Sequence, residues 1–335
     1  MSFTYERNWS FSFNNLYTPT SNTDDPQYAL WAIKAMLLGQ LGGLSSGLWT
    51  TYYSCNGVTA GTPGDGVDRW GSTYTPANIL SGTVAHSWYV LKSPLMNGKT
   101  FYLLISYNQS SNLNAKFAMS AVAPTGGTAT SDPILSQSWN FSASGYTALP
   151  SFATTQLLRF NLCLASDGSA IIFSKASTSA TINPQEPEFG FMVIAPVGCN
   201  PLDNYPIFTF ALTNTSNTGG LASTQLLSND YNPALLYNGT SAYIGILGSQ
   251  YVDSNAVTYS LDGLTNQLWI DTPWMIVSNS TGWHTRGRLP DIGILPVNSS
   301  SSLGPGWAAH DVNGNVTFIT VGCLLIPANS VPILM

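Results

Sequence analysis

The stretch HSWYVLKSPLMNGKTFYLLISYN, residues 86–108, decides the fold class of this chain. Two runs rich in aromatic and β-branched residues, 86–94 and 99–108, are joined by the short segment LMNG. An Asn-Gly pair between two such runs is a strong hairpin signal, because both residues tolerate the positive φ angles of a tight turn. The stretch therefore predicts two paired antiparallel strands.

Similar runs continue along the rest of the chain, separated by segments rich in Ser, Thr, Asn, Gly and Pro. A second hairpin is predicted within ASDGSAIIFSK, residues 165–175, around its Asp-Gly pair. Many short strands with polar turns between them favour a mainly β chain with β-sandwich or barrel-like architecture. The further candidate strands are 157–165, 169–174, 189–194, 207–212, 242–247, 274–278 and 316–327.

One α-helix is predicted near the N-terminus, over DPQYALWAIKAMLLGQL, residues 25–41. An aspartate can cap its start, Pro26 fits its first turn, and apolar residues recur at helical spacing. Gly42 and Gly43 are expected to end it.

An extended arm is predicted over residues 1–23. Aromatic residues alternate there with polar ones, which predicts that one face is buried against the chain's own domain or a neighbouring subunit. The alternating aromatic residues are Phe3, Tyr5, Trp9, Phe11 and Phe13.

The domain organisation follows from these elements. We expect an arm over 1–23, a helix and hairpin region over 24–108, a loop-rich join over 109–150 and a β-rich domain over 151–335. The alternative is one continuous β fold over 24–335.

The composition limits the classes of partner. Charged residues make up 8% of the 335 residues, against about 25% in an ordinary soluble domain. Such a neutral surface does little to repel a neighbouring copy. With a net charge of −6 and no basic run, a nucleic-acid partner is not expected. No apolar run reaches about 18 residues, so no membrane-spanning helix is expected.

Short motifs do not indicate catalysis, a cofactor or a metal site. GLSSG at 43–47 matches the G-x-S-x-G pattern but follows the predicted helix, which favours a structural reading. DGVDRW at 65–70 brings Asp68, Arg69 and Trp70 together, and its two carboxylates can bind calcium or act as acid and base. The surrounding turn residues favour a structural or interface role.

The stretch WHTRGRLPDIG, residues 283–293, concentrates scarce charges. Arg286 or Arg288 can pair with a carboxylate such as Asp291 or stack on an indole such as Trp283. A structural clamp or subunit contact is favoured, with anion or glycan binding as the alternative and catalysis a remote third.

Three segments in order resemble a loose family of tailed-bacteriophage virion proteins. They are GLWTTYYSCNGVTAG with DGVDRW (47–70), HSWYVLKSP with its following strand, and HTRGRLPDIG followed by a final strand ending in LLIPANSVPILM. The resemblance leaves out residues 109–260 and implies a virion structural protein, with no catalytic residues to carry over.

The expected function is therefore a non-enzymatic component of a tail, baseplate, neck or head surface. It would assemble in the host cytoplasm, since the N-terminal stretch has no apolar signal-peptide core. Its expected partners are copies of itself and other virion proteins. A glycan-binding module that recognises a host surface is the alternative, and a glycan-degrading enzyme the third.

Overall fold

The computed structural model describes part of the chain. The described residues are 9–17, 27–41, 48–75, 79, 86–108, 114–134, 141–142, 147–148, 157–177, 189–195, 207–212, 243–246, 274–279, 282–288, 293–294, 308–310, 316–321 and 324–327. Within them the fold is mainly β with one helix, and all strand pairs are antiparallel, as the sequence predicts.

The helix α1 spans Gln27–Leu37. The strands, in chain order, are β1 Trp9–Tyr17, β2 Thr50–Cys55, β3 His86–Lys92, β4 Tyr102–Asn108, β5 Asn114–Ser120, β6 Phe141–Ser142, β7 Thr147–Ala148, β8 Leu157–Ala165, β9 Ala170–Ser177, β10 Phe189–Ile194, β11 Ile207–Leu212, β12 Tyr243–Ile246, β13 Trp274–Asn279, β14 Gly282–Arg288, β15 Gly293–Ile294, β16 Ala308–His310, β17 Val316–Val321 and β18 Leu324–Pro327.

A central sheet with the order β2-β3-β4-β5-β6 positions the candidate site, and β7 also pairs with β5. The hairpin predicted over 86–108 forms its middle, with His86 opposite Asn108 and Lys92 opposite Tyr102. The connection turns at Asn97 and Gly98, whose φ angles are 50° and 79°. These are the positive angles that a two-residue hairpin turn requires.

Both faces of the central sheet are covered. One face carries a buried cluster that includes Tyr53, Trp88 and Leu104, and Ala129 from residues 121–134 packs against it. Successive side chains point to opposite faces, so Tyr89 lies on the other face. There its ring meets that of Trp70 at 5.3 Å between centroids.

The helix is buried along almost its whole length, from Tyr28 to Leu37. It ends earlier than predicted, at Gly39 rather than at Gly42 and Gly43. The N–H of Gly39 donates to Met36 O at 3.0 Å and that of Gln40 to Ala35 O at 2.7 Å. This is a Schellman arrangement, and it needs the left-handed φ of 71° that Gly39 adopts.

A second sheet has the order β1-β8-β9-β10-β11. The Asp-Gly hairpin predicted at 165–175 joins β8 to β9. Residues 9–17 of the predicted arm form β1, which pairs with β8 from Trp9 opposite Ala165 to Tyr17 opposite Leu158. The sequence left open whether the arm packs on the chain's own domain or on a neighbouring subunit. Strand β1 of the arm lies on the chain's own sheet. Phe3 and Tyr5 lie outside the described residues.

The two sheets touch at the β8–β9 turn. The buried indole N–H of Trp49 donates to Gly168 O at 2.9 Å. A Cβ atom at Gly168 would lie 2.7 Å from Pro94 Cδ, so the turn fits closely against the central-sheet region.

Two stretches differ from the sequence prediction. Residues 114–120, inside the stretch expected to be a loop-rich join, form β5 in the central sheet, so the sheet runs across the expected boundary at 108/109. From residue 115 on, most of this strand is buried. Ala115, Phe117 and Met119 share one face and Asn114, Lys116 and Ser120 share the other, which is the alternation of a strand. The single strand expected at 316–327 is two paired strands, β17 and β18, with Val321 opposite Leu324.

Candidate functional site

Lys34 is a buried lysine of α1 whose ammonium group faces residues 68–71. Its Nζ donates to Gln40 Oε1 at 2.8 Å, Asp68 Oδ2 at 2.9 Å and Gly71 O at 2.6 Å. All three ammonium protons thus have an acceptor. We call Lys34, Gln40, Asp68 and Gly71 the helix clamp, because they hold the helix to this part of the chain.

The surroundings of the helix clamp are aromatic. Lys34 Nζ lies 5.6 Å from the ring centroid of Trp31 and 5.5 Å from that of Tyr89, within cation–π range. Burial lowers the pKa of Lys34, although the charge of Asp68 opposes the shift. Burial alone would raise the pKa of Asp68, but Lys34 and Gln40 bring it below its ordinary value. Asp68 is therefore ionised at neutral pH.

Asp68, Arg69 and Trp70, singled out from the sequence, contact residues of their own chain. Asp68 Oδ1 accepts from the Trp70 N–H at 3.1 Å. Arg69 Nη2 donates to Asp65 Oδ2 at 2.8 Å. The Trp70 side chain is fully buried and its indole N–H donates to Cys55 O at 3.0 Å. The two carboxylates of this segment are thus each bound to a cation, an arrangement that holds the segment in place.

A second polar cluster lies on the Trp88 face of the central sheet, under residues 121–134. Asp132 Oδ1 lies 2.7 Å from His86 Nε2 and accepts from Ser106 Oγ at 2.5 Å. Lys116 Nζ lies 3.6 Å from the other carboxylate oxygen. We call His86, Ser106, Lys116 and Asp132 the Asp132 cluster. It joins three neighbouring strands to one carboxylate.

The ionised carboxylate of Asp132 indicates which ring nitrogen of His86 carries a hydrogen. Burial alone would raise the pKa of Asp132, but the hydrogen bonds from His86 and Ser106 bring it below its ordinary value. An ionised carboxylate can only accept, so we assign the ring hydrogen of His86 to Nε2. In the neutral ring Nδ1 is then an acceptor, and this buried atom has no hydrogen-bond partner among the described residues.

The Asp132 cluster contains the residue types of a serine hydrolase triad in a different arrangement. In such a triad, histidine joins serine and aspartate through two different ring nitrogens. Here Ser106 and Asp132 both face Nε2, with Ser106 Oγ 3.2 Å from it. Ser106 is fully buried and donates its hydrogen to Asp132. The arrangement can hold residues 121–134 on the sheet, and the buried hydroxyl is out of reach of a substrate carbonyl while that segment is in place.

Sequence reasoning found neither Ser106 nor Asp132 as members of a cluster with His86. Asp132 is separated from Ser106 by 26 residues and from His86 by 46. No motif spacing connects them. The only signal for Ser106 was a polar residue within an otherwise apolar strand, whereas Asp132 lies outside the strands.

The arginine-rich stretch is described only at its backbone. Trp283, Arg286 and Arg288 lie on β14, which pairs with β13. Met275 lies opposite Gly287 and Ile276 opposite Thr285, so Arg286 has no opposite residue and forms a β-bulge. Asp291 lies outside the described residues, so the clamp in this stretch stays a prediction.

All four tryptophans with described side chains act as internal hydrogen-bond donors. Each is at most 4% exposed and donates its indole N–H to a backbone carbonyl. The pairs are Trp31 with Gly71, Trp49 with Gly168, Trp70 with Cys55 and Trp88 with Thr128, at 2.7–3.0 Å. Because a sugar-stacking platform needs an exposed ring, none of these four can provide one as folded here.

Within the described ranges, no group of three or more His, Cys, Asp or Glu side chains is placed to hold a metal ion. No helix in the described part of the chain is long and apolar enough to cross a membrane. Comparisons with protein-family models, curated proteins and solved structures find no match to this chain.

Proposed function

We propose that this chain is a non-enzymatic structural component of a tailed-phage virion that assembles through contacts between subunits. The virion assignment rests on the ordered resemblance of its segments around residues 47–70, 86–94 and 284–293. The geometry contributes a separate argument, which concerns where the chain places its few charges.

The observation that carries the proposal is the near absence of exposed charge. Of the charged side chains that the structure describes, only Lys92 is exposed. Several others bind one another inside the chain, as in the Lys34–Asp68 and Arg69–Asp65 pairs. A surface with so little charge has weak long-range repulsion between copies. Assembly then costs little electrostatic work.

Exposed apolar residues accompany this neutral surface. Five large hydrophobic residues are exposed in the described part of the chain, and they lie in the segments between strands: Val58, Val67, Leu95, Val122 and Ile134. Single exposed apolar residues are normal on a soluble protein. Together with a neutral surrounding surface, they favour burial against a partner over exposure to solvent.

Glycan recognition is the second candidate function and has narrower support. Tyr52 and Tyr102 are half-buried and meet edge to face at 4.8 Å between centroids. They can offer ring faces to a sugar, unlike the buried tryptophans. A binding experiment with immobilised glycans separates the two proposals, since loss of binding in Tyr52→Ala would favour recognition.

The test of the structural role has two parts. Light scattering of the purified full-length chain should give the mass of a closed oligomer, and a labelled antibody should bind at a fixed position on virions. A stable monomer that is absent from particles would overturn the proposal.

A further inference from the structure

Residues 121–134 leave the central sheet between β5 and β6 and return over the Trp88 face. Inside this segment, Thr125 and Ile134 exchange two backbone hydrogen bonds at 3.1 and 2.7 Å. The N–H of Thr128 donates to Ser131 O at 2.9 Å. The segment therefore keeps its own shape through internal pairing, independently of the sheet beneath it.

The segment contributes little apolar surface to the core. Pro124 and Pro133 are buried and Ala129 is half-buried, whereas Val122 and Ile134 are 42% and 71% exposed. Burying small side chains contributes only a small part of the hydrophobic free energy that a large core side chain contributes. Polar contacts must therefore provide much of the attachment.

Those polar contacts converge on two points. Asp132 binds His86 on β3 and Ser106 on β4 and pairs with Lys116 on β5. Trp88 donates its indole N–H to Thr128 O at 2.7 Å. These contacts join one short segment to three strands.

We propose that residues 121–134 are a strap that lifts off the Trp88 face as one unit, and that the Asp132 carboxylate is its latch. The strap is a conformational device of the fold, and it stands whether or not the chain belongs to a virion. Its opening uncovers the apolar cluster around Trp88.

Gly127 provides a second way to open the strap without changing the latch. A Cβ atom at this residue would lie 2.6 Å from Trp88 Cζ2, closer than van der Waals contact allows. Gly126, its neighbour, also has a positive φ, but a Cβ atom there would meet nothing within 4 Å. Gly126→Ala is therefore a matched control that carries the backbone strain without the collision.

Two buried thiols report opening. Cys55 belongs to the apolar cluster against which Ala129 of the strap packs, whereas Cys163 lies on β8 in the other sheet. Both are buried thiols outside any disulfide bond, and burial raises the pKa of each. Alkylation of the native full-length protein, with each cysteine read from its own peptide by mass spectrometry, then separates strap opening at Cys55 from global unfolding at Cys163.

We expect Asp132→Asn and Gly127→Ala each to raise the alkylation rate of Cys55 by about tenfold or more. The rate at Cys163 should stay as in the wild type. Gly126→Ala should have a smaller effect on Cys55 than Gly127→Ala. Asp167→Asn, an equivalent change in the β8–β9 turn, should leave Cys55 unchanged.

Two results would overturn the proposal. If both cysteines gain reactivity together, the substitutions destabilise the whole chain and no separate strap motion exists. If Cys55 stays protected in both strap variants, the strap is an integral part of the core and Asp132 is not its latch.

Discussion

Replacing Asp68 by asparagine tests whether the helix clamp depends on charge. The substitution preserves the shape of the side chain and an oxygen that can accept from the Trp70 and Gly71 N–H groups. It removes the only anion bonded to Lys34 Nζ among the described residues. Lys34 is fully buried, so its charge would keep only neutral acceptors.

The expected loss is about 2–4 kcal/mol of unfolding free energy. Removing one partner of a buried ion pair typically costs about 3–5 kcal/mol. The expected cost is smaller here because the Asp68 side chain is 19% exposed. In addition, Gln40 and Gly71 still accept hydrogen bonds from Lys34. Urea unfolding of the full-length chain at pH 7 measures the loss.

The pH dependence of the unfolding free energy provides an independent test of the same reasoning. Burial already places the pKa of Lys34 below its ordinary 10.5, and loss of Asp68 should lower it further. A lysine with a lowered folded-state pKa binds fewer protons folded than unfolded, so stability rises with pH between the two pKa values. Part of the deficit in Asp68→Asn should therefore disappear between pH 7 and pH 10.

The matched control is Asp65→Asn, which removes the i,i+4 partner of Arg69 near the surface. This change should cost at most about 1 kcal/mol and should show no recovery at high pH. If Asp68→Asn costs no more than the control, or if its deficit is the same at both pH values, the charge of Lys34 does not depend on Asp68 and the reasoning is refuted.

Three further predictions follow from the described contacts. Gly168→Ala should lower the free energy of unfolding by about 1–3 kcal/mol in urea, because its Cβ would lie 2.7 Å from Pro94 Cδ. Gly98→Ala should lower it less, because a Cβ there would have nothing within 4 Å. Acid should destabilise and unfold the chain as pH falls below 3.8, the ordinary pKa of an aspartate. Asp132 and the other paired aspartates have lowered pKa values in the folded chain, so their stabilising contribution is lost as they protonate. Stability that stays constant down to about pH 2 in circular dichroism would contradict this. Deleting residues 1–17 should reduce the stability of the monomer, since β1 pairs with the chain's own β8; an unchanged unfolding midpoint would mean that the strand contributes only to assembly.

The strands with a tight turn between them could be predicted from the sequence. An Asn-Gly pair predicts the hairpin at 86–108, and an Asp-Gly pair predicts the one at 165–175. Strands β10 and β11 also match their predicted bounds. Such signals are local, because a two-residue turn determines the register of the strands on either side. The helix was also found, although Gly39 rather than Gly42 ends it.

Sequence reasoning missed one short strand and one reversal of the chain. Strand β5 does alternate, with Ala115, Phe117 and Met119 on one face and Asn114, Lys116 and Ser120 on the other. It is only seven residues long and lies in a stretch rich in Ser, Ala and Thr, which made the short pattern easy to overlook. Residues 316–327 form one continuous apolar pattern, yet the strand reverses after Val321. A hydrophobic run identifies burial but not the position of a turn.

The amino-acid sequence by itself determined the mainly β class, the N-terminal helix and the local hairpins, because these depend on neighbours within a few residues. Tertiary structure alone decided that β1 pairs with β8, that Lys34 meets Asp68 and that Asp132 meets His86 and Ser106. Such contacts join residues from 26 to about 150 positions apart. They arise because buried charges, hydroxyls and strand backbones must find partners wherever the packed sheets bring them, and no pattern of neighbouring residues records that choice.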